Sequence, residues 1–200
     1  VPVVRRAEPL TRIVAESIVH RDVSSPFVSI DYSLSTRRYG TGAGERAVLL
    51  DSFVADLLQE HLDEQVGAGR LPIIRPYSAI FHHTSVHPFM GFNFLAEDPT
   101  RAVEDFQSEL RGLAHHGFGP LAVERLREDY SRHLDQQLLE LPTLQDYERA
   151  TTLVEHFLFG WSAEEPVAQI NRRRLIVESL TADAVGSWFA GMLGVSSPLV

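Results

Sequence analysis

The chain has 200 residues, 44% of them hydrophobic, a formal net charge of −9 and no cysteine. That is enough apolar material for a sizeable core, while the missing Cys excludes disulfides, thiolate nucleophiles and Cys-ligated zinc without fixing the compartment, periplasmic or cytoplasmic. All 18 basic residues are Arg, so lysine chemistry is excluded, and the acidic balance argues against nucleic acid, whose phosphates need a basic face.

No apolar run approaches the roughly 18 residues of a membrane span. The opening VPVVRRAEPL has neither an initiator Met nor the apolar centre of a signal peptide, and the expectation is a fragment of a longer chain or a processed one.

In chain order, PLTRIVAESIV (9–19) is a weak strand candidate. PFVSIDYSLST follows, and its Val28, Ile30, Tyr32 and Leu34 alternate with Ser29, Asp31 and Ser33, which predicts a half-buried strand. The Gly-rich STRRYGTGAGE then reads as a flexible connector. A dinucleotide fingerprint needs Gly where Glu45 stands, and an acid there would repel a pyrophosphate at a helix N-terminus.

A long helix is predicted from Glu45 to Val66, with Leu50, Phe53, Val54, Leu57, Leu58 and Leu62 at helical spacing and Gly67 and Gly69 ending it. LPIIRPYSAIFHH and HPFMGFNFLAE read as two strands joined through Thr84-Ser85-Val86, the first pushed to an edge or given an irregular start by Pro72 and Pro76.

The remainder reads helical. Asp98 or Thr100 caps a helix to about His115 with Val103, Phe106, Leu110 and Leu113 inward. A second runs from Pro120 to about Leu139 and buries Val123, Leu126, Tyr130, Leu134 and Leu138. Thr143 with Asp146 opens a helix to Phe159, Ser162 with Glu165 opens the next, and Thr181 caps a last one through Leu193, stopped by Gly194. The order β-β-α-β-β followed by about five helices predicts an α+β domain, an antiparallel sheet with helices packed on one face. No repeat or linker divides it, so residues 1–200 are expected to form one domain.

Three constellations bear on chemistry. LLQEHLDEQ holds His61, Glu64 and Gln65 on one side of the long helix, one residue short of the zinc-binding H-x-x-E-H. A Gln amide is a poor zinc ligand beside imidazole or carboxylate, and His61 borders the apolar stripe, so a half-buried helix histidine is expected. His82, His83 and His87 form the richest histidine cluster. On one strand His83 and His87 would lie about 13 Å apart; across a hairpin they would be neighbours, still short of a third ligand. His115 and His116 fit a helix C-terminus, where imidazoles complement the dipole, and Arg172-Arg173-Arg174 reads as a solvated helix face.

Several segments carry a family resemblance. PLTRIV leads into FVSIDYSL; RAVLLDSFVADLLQEHLDEQV is similar to a helix ending in R-L-x-E-x-x-R-E; FNFLAEDPTRAVEDFQSELRGLAHHGFGPLAVERLREDY is similar to a strand, a helix and a G-F/G-x-x-x-x-E-L step; NRRRLIVESLTADAVGSWFAGML is similar to a closing helix pair. In this order they resemble a non-catalytic domain of the pitrilysin/insulinase zinc peptidases, which include the mitochondrial processing peptidase, over roughly Pro9 to Leu193.

The resemblance implies no catalytic residue and no metal in this chain, with zinc in a homologous catalytic domain of the same or another chain. It implies that the chain forms one wall of a chamber for unfolded peptide; the alternative is a structural or assembly module of the same fold. It also implies a substrate-holding Arg-x6-Tyr. Arg70 and Tyr77 have that spacing, although Arg70 follows two glycines and Pro76 precedes Tyr77.

Overall fold

The computed structural model of the chain describes residues 26–34, 40–74, 80–82, 88–141, 146–160, 162–195 and 198–199. Its elements are β1 (Phe27–Ser33), α1 (Gly42–Gly67), β2 (Ile80–His82), β3 (Phe89–Leu95), α2 (Pro99–His116), α3 (Pro120–Glu140), α4 (Asp146–Phe159), α5 (Pro166–Glu178), α6 (Ala182–Val195) and β4 (Pro198–Leu199). The strand expected over 9–19 lies outside the described residues. The four described strands form one sheet in the order β2-β3-β1-β4, every pair antiparallel.

The register explains the alternation read in the sequence. Val28 pairs with Phe94, Ile30 with Phe92 and Tyr32 with Met90, and all six side chains are buried on one face. Ser29, Asp31 and Asn93, which point the other way, are only half-buried, as a one-sided sheet requires, whereas Ser33 at the end of β1 is buried. The fold is therefore α+β, with helices packed on one face. Leu50, Phe53, Val54, Leu57, Leu58 and Leu62 of α1 are buried in this core, and Phe106 of α2 lies 5.0 Å from the Phe92 ring and 5.2 Å from the Phe94 ring. A smaller cluster, Leu134, Ile170 and Val177, joins α3 to α5.

Prolines shape the region before β2. Leu71 and Ile73 are buried yet not in a strand, and the Ile74 N–H donates to Leu95 O at 2.8 Å. Among the described residues of the predicted strand, only Ile80–His82 form ladder pairs, at the sheet edge; Pro72, before them, has no N–H to donate to a ladder.

Helix starts differ from the sequence reading at two places. Helix α1 begins at Gly42, with the Thr41 hydroxyl accepting from the Gly44 N–H at 3.0 Å; Gly42 and Gly44 thus lie in its first turn and not in a flexible connector. Helix α5 begins at Pro166, capped by the Glu165 carboxylate accepting from the Ala168 N–H at 3.0 Å, so Ser162 is not the cap. Proline at the first helical position is favourable because its missing N–H would be unpaired there anyway. Asp98 and Thr181 cap α2 and α6 as expected, and α6 runs past Gly194 to Val195.

Two tyrosines make the fold sensitive to alkali. Burial pushes the Tyr32 phenol up from 10.0 to about 12, against a smaller lowering by Arg111. Burial first, then the hydrogen bond it donates to Asp56 Oδ2 at 2.6 Å and the charge there, drive Tyr130 well above its ordinary range. Both folded values are raised, so above pH 10 the unfolded chain sheds protons that the native chain keeps. Their contribution is intact below that pH and is lost as pH rises towards 12. The expected result is alkaline unfolding that the double variant Tyr32→Phe/Tyr130→Phe shifts to higher pH, followed by circular dichroism and phenolate absorbance. Free titration of both phenols in the folded chain near pH 10 would contradict it.

Candidate functional site

The side chains that bear on a zinc site lie on the second half of α1. His61 Nε2 is 2.5 Å from Glu109 Oε1 of α2, with both side chains half-buried. The imidazole is thus engaged in tying α1 to α2, two helices that both pack on the sheet. Glu64 is exposed. Gln65 Oε1 accepts from Arg70 Nε at 2.5 Å, and the Gln65 carbonyl accepts from the Arg70 N–H at 2.9 Å. Zinc needs three or four converging N, O or S donors. Among the described residues no three His, Cys, Asp or Glu side chains converge in that way, so the donors on this helix do not fit the ion.

Arg70 is exposed just beyond α1, after Gly69, whose φ of 68° turns the chain out of the helix. Tyr77 lies outside the described residues, as do His83 and His87. His82 is in β2, opposite Phe89. His115 and His116 occupy the last turn of α2, exposed, with ring centroids 4.7 Å apart.

The N-terminus of α1 faces α5 across a cavity lined by Gly40, Thr41, Gly44, Ser162, Gln169 and Arg172 among others. Its volume is about 100 Å³, against the roughly 300 Å³ at which small-molecule sites begin. The Glu45 carboxylate sits there, paired with Arg172 and lying 3.5 Å from Arg173 Nε. Arg172 also pairs with Glu164, and Arg174 with Asp135 of α3. The pairing with Glu45 and Glu164, set against partial desolvation, holds the Arg172 guanidinium above its ordinary value. The Arg172–Arg174 run is therefore not the solvated face that its sequence suggested. Its three guanidiniums are about a third exposed and tie α5 to α1 and α3, because acidic residues distant in sequence meet them. The same carboxylate fills the place where a bound anion would be drawn.

One buried polar residue carries a signal in the sequence. Asp51 is fully buried and accepts from Trp188 Nε1 of α6 at 2.9 Å. It stands three residues before Val54 and seven before Leu58, on the apolar stripe of α1, where a charge stands out against its neighbours. Glu109 had no such signal, since 48 residues separate it from His61.

No family model matches the sequence, and no curated protein does. Among solved structures, the first half of the periplasmic protease PqqL from Escherichia coli superposes with a TM-score of 0.78 at 13% identity, over 95% of this chain and 41% of that one. An insulinase family protease predicted in Yersinia pestis gives 0.74 at 8%, over 98% and 43%. The inactive peptidase domain of a candidate zinc protease from Bordetella parapertussis gives 0.60 at 15%, over 90% and 91%. The fold is thus that of a metallopeptidase-type α+β domain. More particularly, the chain has the domain fold of the pitrilysin/insulinase peptidases, and it spans less than half the length of the PqqL and Yersinia chains.

Proposed function

We propose that this chain is a non-catalytic domain of a bacterial zinc metallopeptidase, which forms one wall of a chamber around unfolded peptide. The observation that carries the reading is the use made of α1. The helix that could present H-x-x-E-H engages His61 with Glu109 and places Gln65 against Arg70. The likeness of fold to the peptidase halves and to the inactive Bordetella domain supports the same reading.

In this proposal the reaction belongs to a homologous domain, in the same chain or another, that supplies the zinc. This chain encloses and orients the substrate. A closed wall excludes folded proteins, admits an extended strand and keeps bulk water from the reacting bond. A wall with a net charge of −9 draws basic peptides more strongly at low salt, an effect that falls off beyond roughly 10 Å at 0.1 M salt. Arg70, exposed at the end of α1, is proposed with Tyr77 to hold the peptide backbone.

The test is to measure zinc content and cleavage of an unfolded peptide for the purified 200-residue chain and for His61→Ala. The expected result is no stoichiometric zinc and no cleavage by either. The variant should lose about 1 kcal/mol of stability as the α1–α2 tie disappears, the size of one partly exposed hydrogen-bonded pair. Tight stoichiometric zinc, with cleavage abolished by His61→Ala, would sink the proposal.

A further inference from the structure

The helices of this domain are attached in two ways. Helices α1, α2 and α6 bury apolar side chains in the core behind the sheet, among them Phe53, Leu58, Phe106, Leu110, Val185 and Phe189. Helix α5 is held differently. It buries only Ile170 and Val177, in a small separate cluster with Leu134 of α3, and it leaves Val167 and Leu175 exposed. Helix α4, just before it, adds no anchor, since its described side chains from Ala150 to Leu158 are all exposed. Elements with so few buried apolar contacts are the ones that open before the rest of a structure.

What α5 lacks in apolar contact it has in charge. Arg172 and Arg173 both meet the Glu45 carboxylate in the first turn of α1, and Arg174 pairs with Asp135 of α3. Arg46 of α1 donates from Nη1 to Ser179 Oγ, at the end of α5, at 2.7 Å. Glu45 is the centre of this network. Its side chain is 13% exposed, whereas that of Asp135 is 65% exposed, so the Asp135 pair contributes little. The three arginines of α5 stay about a third exposed. Water can rehydrate them when the pairs part, and salt, which weakens accessible ion pairs, can reach them. Apolar burial of the kind that holds α1 and α2 is not weakened by salt in this way.

We propose that α4 and α5 form a flap that parts from α1 and α3 as one unit while the core behind the sheet stays folded, and that Glu45 with Arg172 and Arg173 is its latch. Leu180, fully buried just after α5, keeps the chain that follows in the core and places the pivot at the end of α5. Opening uncovers Leu134, Ile170 and Val177 and the cavity between α5 and the N-terminus of α1. Low salt holds the flap shut; high salt, or loss of the Glu45 charge, frees it. The proposal stands on the way α5 is attached and does not depend on the peptidase reading.

The test is amide hydrogen exchange in the polypeptide as its gene encodes it, read by mass spectrometry on peptides from α5 and from the buried middle of α2. After correction for intrinsic rates, α5 is expected to exchange about tenfold faster than α2 or more. Its rate should rise about threefold or more between about 0.02 M and about 1 M sodium chloride, while that of α2 does not rise. Glu45→Gln should speed α5 about tenfold at low salt and remove most of the salt response, because the contact that salt weakens is already gone, with α2 unchanged. Arg172→Gln, on α5 itself, should do the same, and it covers the case in which Glu45→Gln disturbs the start of α1. One common rate for α5 and α2 overturns the proposal, since both then open only with the whole domain. Exchange of α5 that ignores salt in the unmodified protein overturns it as well, and so does a salt response that survives both substitutions.

Discussion

Phe106→Ala is expected to lower the free energy of unfolding by about 3–5 kcal/mol, the range for removing a buried aromatic ring. The ring is 1% exposed and touches both Phe92 and Phe94 of β3 edge-on or tilted. It helps to fasten α2 to the sheet, beside the buried Ala102, Leu110 and Leu113. Truncation removes the transfer energy of the ring and leaves a cavity between a helix and a sheet, two surfaces that cannot both relax into it. In a domain of this size each kcal/mol moves the midpoint by about 2–4 °C, so a drop of roughly 6–20 °C is expected. Thermal and urea unfolding by circular dichroism measure it. Phe157→Ala in the same 200-residue chain is the comparison: its ring is 86% exposed, and its effect should stay within about 0.5 kcal/mol. Similar losses for the two variants would mean that the packing of α2 on the sheet has been misplaced.

The second large effect concerns the buried carboxylate. Trp188→Phe removes the indole N–H that donates to Asp51 Oδ1 at 2.9 Å and keeps most of the ring. Asp51 is fully buried, and water cannot replace the lost donor. The expected cost is about 1–2 kcal/mol, that of one buried hydrogen bond to a polar side chain. Asp51→Asn keeps an oxygen for the indole to donate to, so its cost should be the smaller. A Trp188→Phe variant as stable as the parent chain would show that the indole bond contributes nothing to the junction of α1 and α6.

These two residues also show how far pattern reading reaches. Phe106 was legible as an inward position because α2 repeats apolar residues at helical spacing. Asp51 stands out as a polar residue on the apolar stripe of α1, but its partner Trp188 carries no mark of the contact, since 137 residues separate the two. The Arg172–Arg174 run misled for a related reason. A charge run on one helix is a solvated face only if no opposite charges are brought to it, and Glu45 and Asp135 come from other helices. Glycine in sequence suggests a loop and moves the expected start of α1 to Glu45, whereas Thr41 caps a helix that begins three residues earlier, at Gly42. Strand β4, only two residues long and paired with Asp31 and Tyr32, is too short to carry a period.

The alternation of β1 and β3 and the apolar stripes of α1, α2 and α3 were determined by the order of residues alone. Burial on one face imposes a period of 2 on a strand and 3.6 on a helix, and that imprint is local. The absence of cysteine and lysine likewise removed whole classes of chemistry without reference to any fold. Tertiary structure decided what the polar residues do: that His61 meets Glu109, that Glu45 lies between two arginines, and that Asp51 meets an indole. Those outcomes depend on which distant segments are brought together, and a polar side chain carries no periodic mark of the partner it will meet.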